Sequence, residues 1–319
     1  MHLRLNAFVS AAAALLAAAA TISAVEPKKT PWGDPDLRGM WPSGEMTGVP
    51  LQRPEQFGER AVLTDEEFAK RQEQIKAMYG FFVVGAWGEP GKAQRQASLI
   101  VDPSDGRLPP LTGEGERRQG SVRSSWQNRP FDGPEDFDTW DRCITRGLLG
   151  SMLPVQYSNG LEIHQAPGYV VIRHEMIHDA RIITLDGRPH LGAAIKQYLG
   201  DSRGHWEGAT LVVGSTNFNG RTAATNPGTS GSPMQNNIPT SDALRITERF
   251  TRVDEDTIQY QATFDDPVIF TRPWTVSYPL RRHPEYEMFE YACHEGNYAL
   301  SNLITGSRAE REAGERKQP

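Results

Sequence analysis

The stretch Tyr169-Val-Val-Ile-Arg-His-Glu-Met-Ile-His178 decides the fold, because it can be read with two different periods. Read as a helix, its last five residues match H-E-x-x-H, which places two imidazoles on one face for zinc with Glu175 as general base. Read as a strand, it sends Tyr169, Val171, Arg173, Glu175 and Ile177 to one face. Val170, Ile172, His174, Met176 and His178 then take the other. The β-branched and aromatic residues at 169–172 and 182–184 favour the strand. No Gly and His follow at the spacing of the extended zinc-protease motifs. On a strand, Glu175 and His178 reach one pocket only if the chain bulges or twists near Asp179.

This stretch lies within residues 161–206, where ionisable groups interleave with β-branched ones. Five of the eight histidines are here: His164, His174, His178, His190 and His205. Glu175, Arg181, Asp186, Arg188, Asp201 and Arg203 join them. Such groups are costly to order unless they face water or each other. The alternatives are a solvated sheet face and a polar pocket inside a β-structure.

Further strands are expected at 155–158, 161–165, 180–184, 209–215, 243–251, 257–264, 269–278 and 288–293. Pro273 fits only an edge or a bulge. Leu185-Asp-Gly-Arg188 and Val253-Asp-Glu-Asp256 carry turn chemistry. Asp201-Ser-Arg-Gly-His-Trp206 reads as a polar turn whose network holds loops. The fold class is therefore mainly β: a single antiparallel barrel or sandwich, with an extended N-terminal arm and one or two short helices. Residues 216–242, rich in Gly, Asn, Thr, Ser and Pro, read as a flap or a disordered loop.

Upstream, residues 25–60 form the extended arm, since six prolines between Pro27 and Pro54 forbid a long helix. Trp32 and Trp41 pin it to the domain surface. Thr64-Asp-Glu-Glu67 is a capping box that starts a helix running to about Met78 and ending at Gly80. Phe68, Ile75 and Met78 make its narrow apolar stripe. Residues 80–135 read as irregular, with Trp126 and Phe131 as anchors. A second short helix is expected near Ser307.

The domain plan is a signal peptide at 1–24, the arm with its helix and irregular segment at 25–135, the β-domain at 136–306 and a charged tail at 307–319. The first segment carries His2 and Arg4, an Ala/Leu-rich run and Thr21-Ile-Ser-Ala24, the three parts of a secretory signal. The mature chain is expected in the periplasm or medium, off the membrane. In that compartment two cysteines, Cys143 and Cys293, imply a bridge. A net charge of −6 with scattered basic residues argues against nucleic acid as a partner.

Several segments resemble an uncharacterised family of exported bacterial proteins. They are Asp34-Pro-Asp-Leu-Arg-Gly-Met-Trp41, Arg142-Cys-Ile-Thr-Arg-Gly147, Glu175-Met-Ile-His-Asp-Ala-Arg181, Leu185-Asp-Gly-Arg-Pro-His190, Gly200-Asp-Ser-Arg-Gly204 and Glu290-Tyr-Ala-Cys-His-Glu-Gly-Asn297. The resemblance implies that the position of His174 is often not histidine, which weakens the zinc reading. The later strands are similar to calycin-type (lipocalin-like) barrels, which implies a small apolar or aromatic ligand.

The functional expectation is an exported, cofactor-independent acid–base enzyme, a lyase acting on a small aromatic or phenolic, plant-derived molecule. No metal is expected. His164 and His178 are the candidates for proton transfer, because imidazole titrates near neutral pH. Glu175 would orient a histidine or act as base, and Arg181 or Arg142 would hold an oxyanion or phenolate. Tyr157 and Trp206 would stack on the ring. Arg142 could instead pair with Glu290 or Glu295 across the bridge. The rival functions are a non-catalytic lipocalin-type binding protein and a zinc hydrolase using His174, Glu175 and His178.

Overall fold

From Leu161 onward, alternating burial sorts side chains to the two faces of one sheet, as the period-2 pattern requires. The computed structural model describes residues 28–46, 48–82, 93–125, 130–155, 158, 160–221 and 238–315. The signal segment, Trp126, Tyr157 and most of the 216–242 loop lie outside the described residues.

In chain order the elements are β1 (Gly39–Met40), α1 (Asp65–Phe82), β2 (Ile100–Asp102), α2 (Gly113–Ser121) and α3 (Gly147–Met152). Then come β3 (Leu161–Ala166), β4 (Tyr169–His174), β5 (Ala180–Thr184), β6 (Asp201–Glu207) and β7 (Thr210–Thr216). The last are β8 (Arg245–Asp254), β9 (Thr257–Asp265), β10 (Trp274–Arg281) and α4 (Ala299–Glu315). The strands form one sheet in the order β1-β3-β4-β5-β6-β7-β8-β9-β10-β2, curled into a half-barrel. The mainly β, barrel-like expectation holds. Every pairing is antiparallel except β5 with β6, which meet in parallel through Thr184 and Arg203.

The inner face is filled by side chains. Phe250, Tyr260 and Tyr278 pack in sequence, tilted and then edge-to-face, with ring centroids 5.0 and 5.2 Å apart, and Phe264 stacks on Trp274 at 4.4 Å. Glu248 of β8 breaks this apolar face with no exposed surface. Both oxygens of its carboxylate are taken by Arg181, and Oε1 also accepts the Tyr260 hydroxyl at 3.0 Å, so the buried charge is matched.

The arm is not a surface strap. Trp41 is fully buried, gives its indole N–H to the Leu37 carbonyl at 2.8 Å, and shares one core with the sheet. Arg252 lies over its ring, 5.6 Å from the centroid. Trp32 stays at the periphery, bonded to Asp34.

Several boundaries differ from the sequence reading, each for a local reason. Residues 169–178 are strand only to His174, after which the chain turns. The strand expected at 269–278 starts just past Pro273, which cannot donate to a ladder. Pro279 is tolerated within β10 because β2 covers only Thr275 and Val276 on that side. Residues 201–207 are a strand rather than a turn, since β7 supplies a full antiparallel partner. Residues 288–293 have no such partner and form no strand. The expected strand at 155–158 has no strand residue among its described positions. The Thr64–Glu67 box caps α1 as expected, but the helix runs through Gly80 to Phe82. In the stretch read as irregular, Thr112 caps α2 by accepting from Gly115 N at 3.0 Å. The C-terminal helix begins at Ala299, well before Ser307.

Candidate functional site

At the far end of β4 three irregular segments meet: residues 137–147, the turn 175–179 and the stretch 283–298. Cys143 and Cys293 lie at disulfide distance, with Cα atoms 5.7 Å apart. Asn297 Nδ2 donates to the Asp141 carbonyl at 2.7 Å. Thr145 Oγ1 donates to Asp179 Oδ2 at 2.6 Å. Glu175 accepts from the Tyr286 hydroxyl at 2.5 Å, from Phe289 N at 3.2 Å and from Gly160 N at 3.1 Å. This buried carboxylate is a tether for the C-terminal segment.

The turn itself is strained. Ile177 has φ 62° and ψ 9°, and His178 has φ 47°. A β-branched residue in the left-handed region is an outlier. It is held there because its side chain packs with Val155 and Met176 against Trp140 and Tyr291. Among the described residues, the other non-glycine residues with positive φ are Cys143, Ser158 and Asn217, and the first two also belong to this end. Backbone strain of this kind concentrates where a structure presents functional groups.

Between the two linked segments runs an open cleft of about 680 Å³. Phe137, Trp140, Tyr291, Leu300 and Leu303 give it apolar walls, while Ser125, Asp141, Glu290 and Asn297 are polar groups on its lining. Asp141 is bonded to Ser125 N at 2.7 Å and to Ser125 Oγ at 2.5 Å. Asp138 belongs to the same loop, and its Oδ1 accepts the backbone N–H of Trp140 and of Asp141, each at 2.9 Å. Burial, and then the neighbouring Asp141 charge, push its carboxyl up to about 6. Burial also raises Asp179.

A second, smaller cleft lies beside it, lined by Arg146, Ser151, Val155, Ser158, Gly160, His174 and Met176. Arg146 is buried and stacks on Trp140, 4.8 Å from the ring centroid. His174 is pushed down to about 3 by burial and by the charges of Arg181 and Arg146, with a hydrogen bond to the Ser151 backbone working the other way. Its imidazole is therefore neutral. A larger cleft between residues 48–57 and α1 brings together Glu66, Glu67 and Lys70, with Arg71 donating to the carbonyls of Gln94 and Gln96. Its Glu67 carboxyl is held down to about 2 by the Arg60 guanidinium, so it is no proton donor near neutral pH.

The residues singled out in the sequence do not converge. His164 sits on the outer face of β3, exposed, with Nε2 3.1 Å from Glu162. Arg181 points into the barrel and is committed to Glu248, so it cannot hold a ligand oxyanion. Glu175 is occupied by its three donors. His178 is exposed at the strained turn, its backbone N–H bonded to the Glu175 carbonyl at 3.0 Å. Arg142 is exposed and forms no ion pair with Glu290 or Glu295 among the described residues. Trp206 is half-buried on β6 against the main core. Because His174 is buried at a strand end and His178 is exposed beyond a turn, H-E-x-x-H is not presented as the helical zinc motif requires. Asp201 does hold loops, through His190 at 2.8 Å, Arg203 at 2.9 Å and Leu191 N at 3.1 Å.

The sequence reading missed Asp138, Trp140, Arg146 and Tyr291. Arg146 and Tyr291 stood inside quoted motifs, and the density of carboxylates in Asp136-Phe-Asp-Thr-Trp-Asp141 was a further signal. No protein-family model, curated protein or solved structure matches the chain.

Proposed function

We propose that the protein is an exported, cofactor-independent enzyme that performs acid–base chemistry, of the lyase type, on a small aromatic or hydroxylated molecule held in the cleft beside the disulfide. The observation that carries this reading is an aromatic-walled cleft formed in part by a loop that also holds the half-buried Asp138, whose carboxyl is pushed up to about 6. A carboxyl in that range exchanges protons near neutral pH, which a general acid or base requires. Proton transfer falls to Asp138, with exposed His178 as a second candidate, rather than to His164. Trp140 and Tyr291 take the stacking role given above to Tyr157 and Trp206. The disulfide supports an oxidising compartment.

The test is incubation with a panel of phenolic and hydroxylated aromatic compounds, followed by mass spectrometry. Turnover that survives Asp138→Asn unchanged would remove Asp138 from the reaction. A non-catalytic binding protein is the second reading. It is favoured by the commitment of Glu175 and Arg181 to structural bonds, and binding without conversion across the panel would establish it. Such binding would use the cleft rather than the barrel interior, where aromatic rings pack the inner face.

A further inference from the structure

We propose that the aromatic-walled cleft beside the disulfide selects a ligand that carries a positive charge, an ammonium group borne by an aromatic ring. The inference rests on the reading that a small aromatic molecule binds in this cleft, and it names the charge of that molecule.

The two walls carry the same pairing. Trp140 is followed by Asp141 on one, Glu290 is followed by Tyr291 on the other, and all four line the cleft. Two residues beyond each pair stands a cysteine, Cys143 or Cys293, and the bridge between them holds the segments together. A carboxylate next to an aromatic ring is thus supplied from both sides. The volume of about 680 Å³ lies within the roughly 300–1,000 Å³ of pockets that take a whole ligand.

Neither carboxylate is neutralised. Asp141 accepts from Ser125 N and Ser125 Oγ, both uncharged donors. Glu290 is exposed, and neither carboxylate forms an ion pair among the described residues. No Lys, Arg or His is among the described residues that line the cleft. Arg146 stacks on Trp140 but stands outside that lining. The Asp141 charge is felt nearby, since after burial it is the next cause that pushes the Asp138 carboxyl up. The surrounding chain deepens the negative field. Residues 130–141 hold five carboxylates and residues 283–298 hold four, with no Lys or Arg in either stretch. Asp132 and Asp136 pair with Arg311 and Arg123 from outside them.

These groups rank the possible ligands by charge. An ammonium is drawn to both carboxylates and to the faces of aromatic rings. A ligand carboxylate would meet two like charges, and a neutral molecule would gain the ring contacts alone. The field around the mouth also concentrates cations before they bind.

The experiment compares 2-phenylethylamine, 2-phenylethanol and 3-phenylpropanoate, three probes of similar shape, by calorimetric titration of the oxidised full chain. At low salt the amine should bind at least about tenfold more tightly than the alcohol, and the carboxylate more weakly than either. Added salt should weaken the amine and leave the alcohol unchanged. Glu290→Gln should cut the amine preference about threefold with an unchanged melting temperature, because the exposed Glu290 holds nothing in place. Asp141→Asn, which keeps an acceptor for Ser125, should cut it further. An alcohol or carboxylate bound as tightly as the amine, a preference unaltered in both variants, or amine binding indifferent to salt would each overturn the charge assignment and leave the aromatic cleft standing. Binding of none of the probes would remove both. An amine preference without turnover of any compound would defeat the enzymatic reading and leave this one in place.

Discussion

Replacing Asp138 by Asn separates chemistry from stability most sharply. The carboxyl is raised from 3.8 to about 6, chiefly by burial and then by the charge of Asp141. The unfolded chain loses this proton near the lower value and the folded chain near the higher one. Between them the folded state binds more protons, so stability falls as pH rises through this window. A shift of about 2 units at 1.36 kcal/mol each comes to about 3 kcal/mol, lost from the folded state above about pH 6 and absent below about pH 4. Asn is neutral throughout and keeps an oxygen for the N–H groups of Trp140 and Asp141. The variant should therefore be more stable than the parent by up to about 3 kcal/mol at about pH 8 and equal to it at about pH 3.5. Urea unfolding at a series of pH values reads this difference directly, and turnover should be lost in the same variant. A stability difference that stays constant with pH, or a variant less stable at about pH 8, would refute the reasoning.

Three other outcomes follow from the packing. Glu248→Gln should cost about 3–5 kcal/mol in urea unfolding, since it leaves Arg181 as an uncompensated buried charge. Replacing both by Met should cost far less. At the 3.1 Å of the longer contact, the attraction is about 5 kcal/mol for an effective dielectric of about 20, so a loss below about 1 kcal/mol would contradict the buried pairing. Gly160→Ala should lower stability by about 1–3 kcal/mol, because the added carbon would sit 2.8 Å from Glu175 Oε2, which cannot retreat without releasing Tyr286. The loop closed by Cys143 and Cys293 spans 150 residues, so Cys143→Ser with Cys293→Ser should cost about 5 kcal/mol on a chain-entropy basis, checked by denaturation of oxidised parent against variant.

The sheet was legible wherever side-chain alternation is strong, as in β9, where the inward residues Ile258, Tyr260, Ala262 and Phe264 recur at every second position. It failed where tertiary pairing overrides composition. Asp201-Ser-Arg-Gly204 is polar enough to read as a turn, yet β7 makes it a strand. The left-handed pair at Ile177 and His178 carries no glycine to announce it, and only the packing of Ile177 against Trp140 and Tyr291 accounts for it. The pairing of the two cysteines was readable because no other partner existed. The cleft they create was not, since its walls come from residues 125–141 and 290–303, far apart in the chain and without a shared period. The histidine-rich stretch drew attention to the right turn for the wrong side chains. His178 and His164 face solvent, while the buried Glu175 and Arg181 are occupied in holding the fold.

Several local costs gather at this end of the sheet. Two buried carboxylates elsewhere are answered: Glu248 by Arg181 and Tyr260, and Asp266 by Ser241 N at 2.7 Å and Ser241 Oγ at 2.6 Å. Here a carboxyl is held away from its ordinary titration range, two hydroxyls, Thr139 Oγ1 and Ser151 Oγ, are buried without partners, and four side-chain-bearing residues stand at positive φ. Strained backbone costs about 1–3 kcal/mol per residue, so the arrangement persists only because other bonds over-determine it. The disulfide, the Glu175 bonds to Tyr286 and Phe289, and the Thr145–Asp179 bond do so from three sides. Relaxing any one of these costs would raise stability, as Asp138→Asn should, and would dismantle the arrangement at the same time. The proposed site is where such costs would be retained, since a purely structural end of a sheet would gain by losing them.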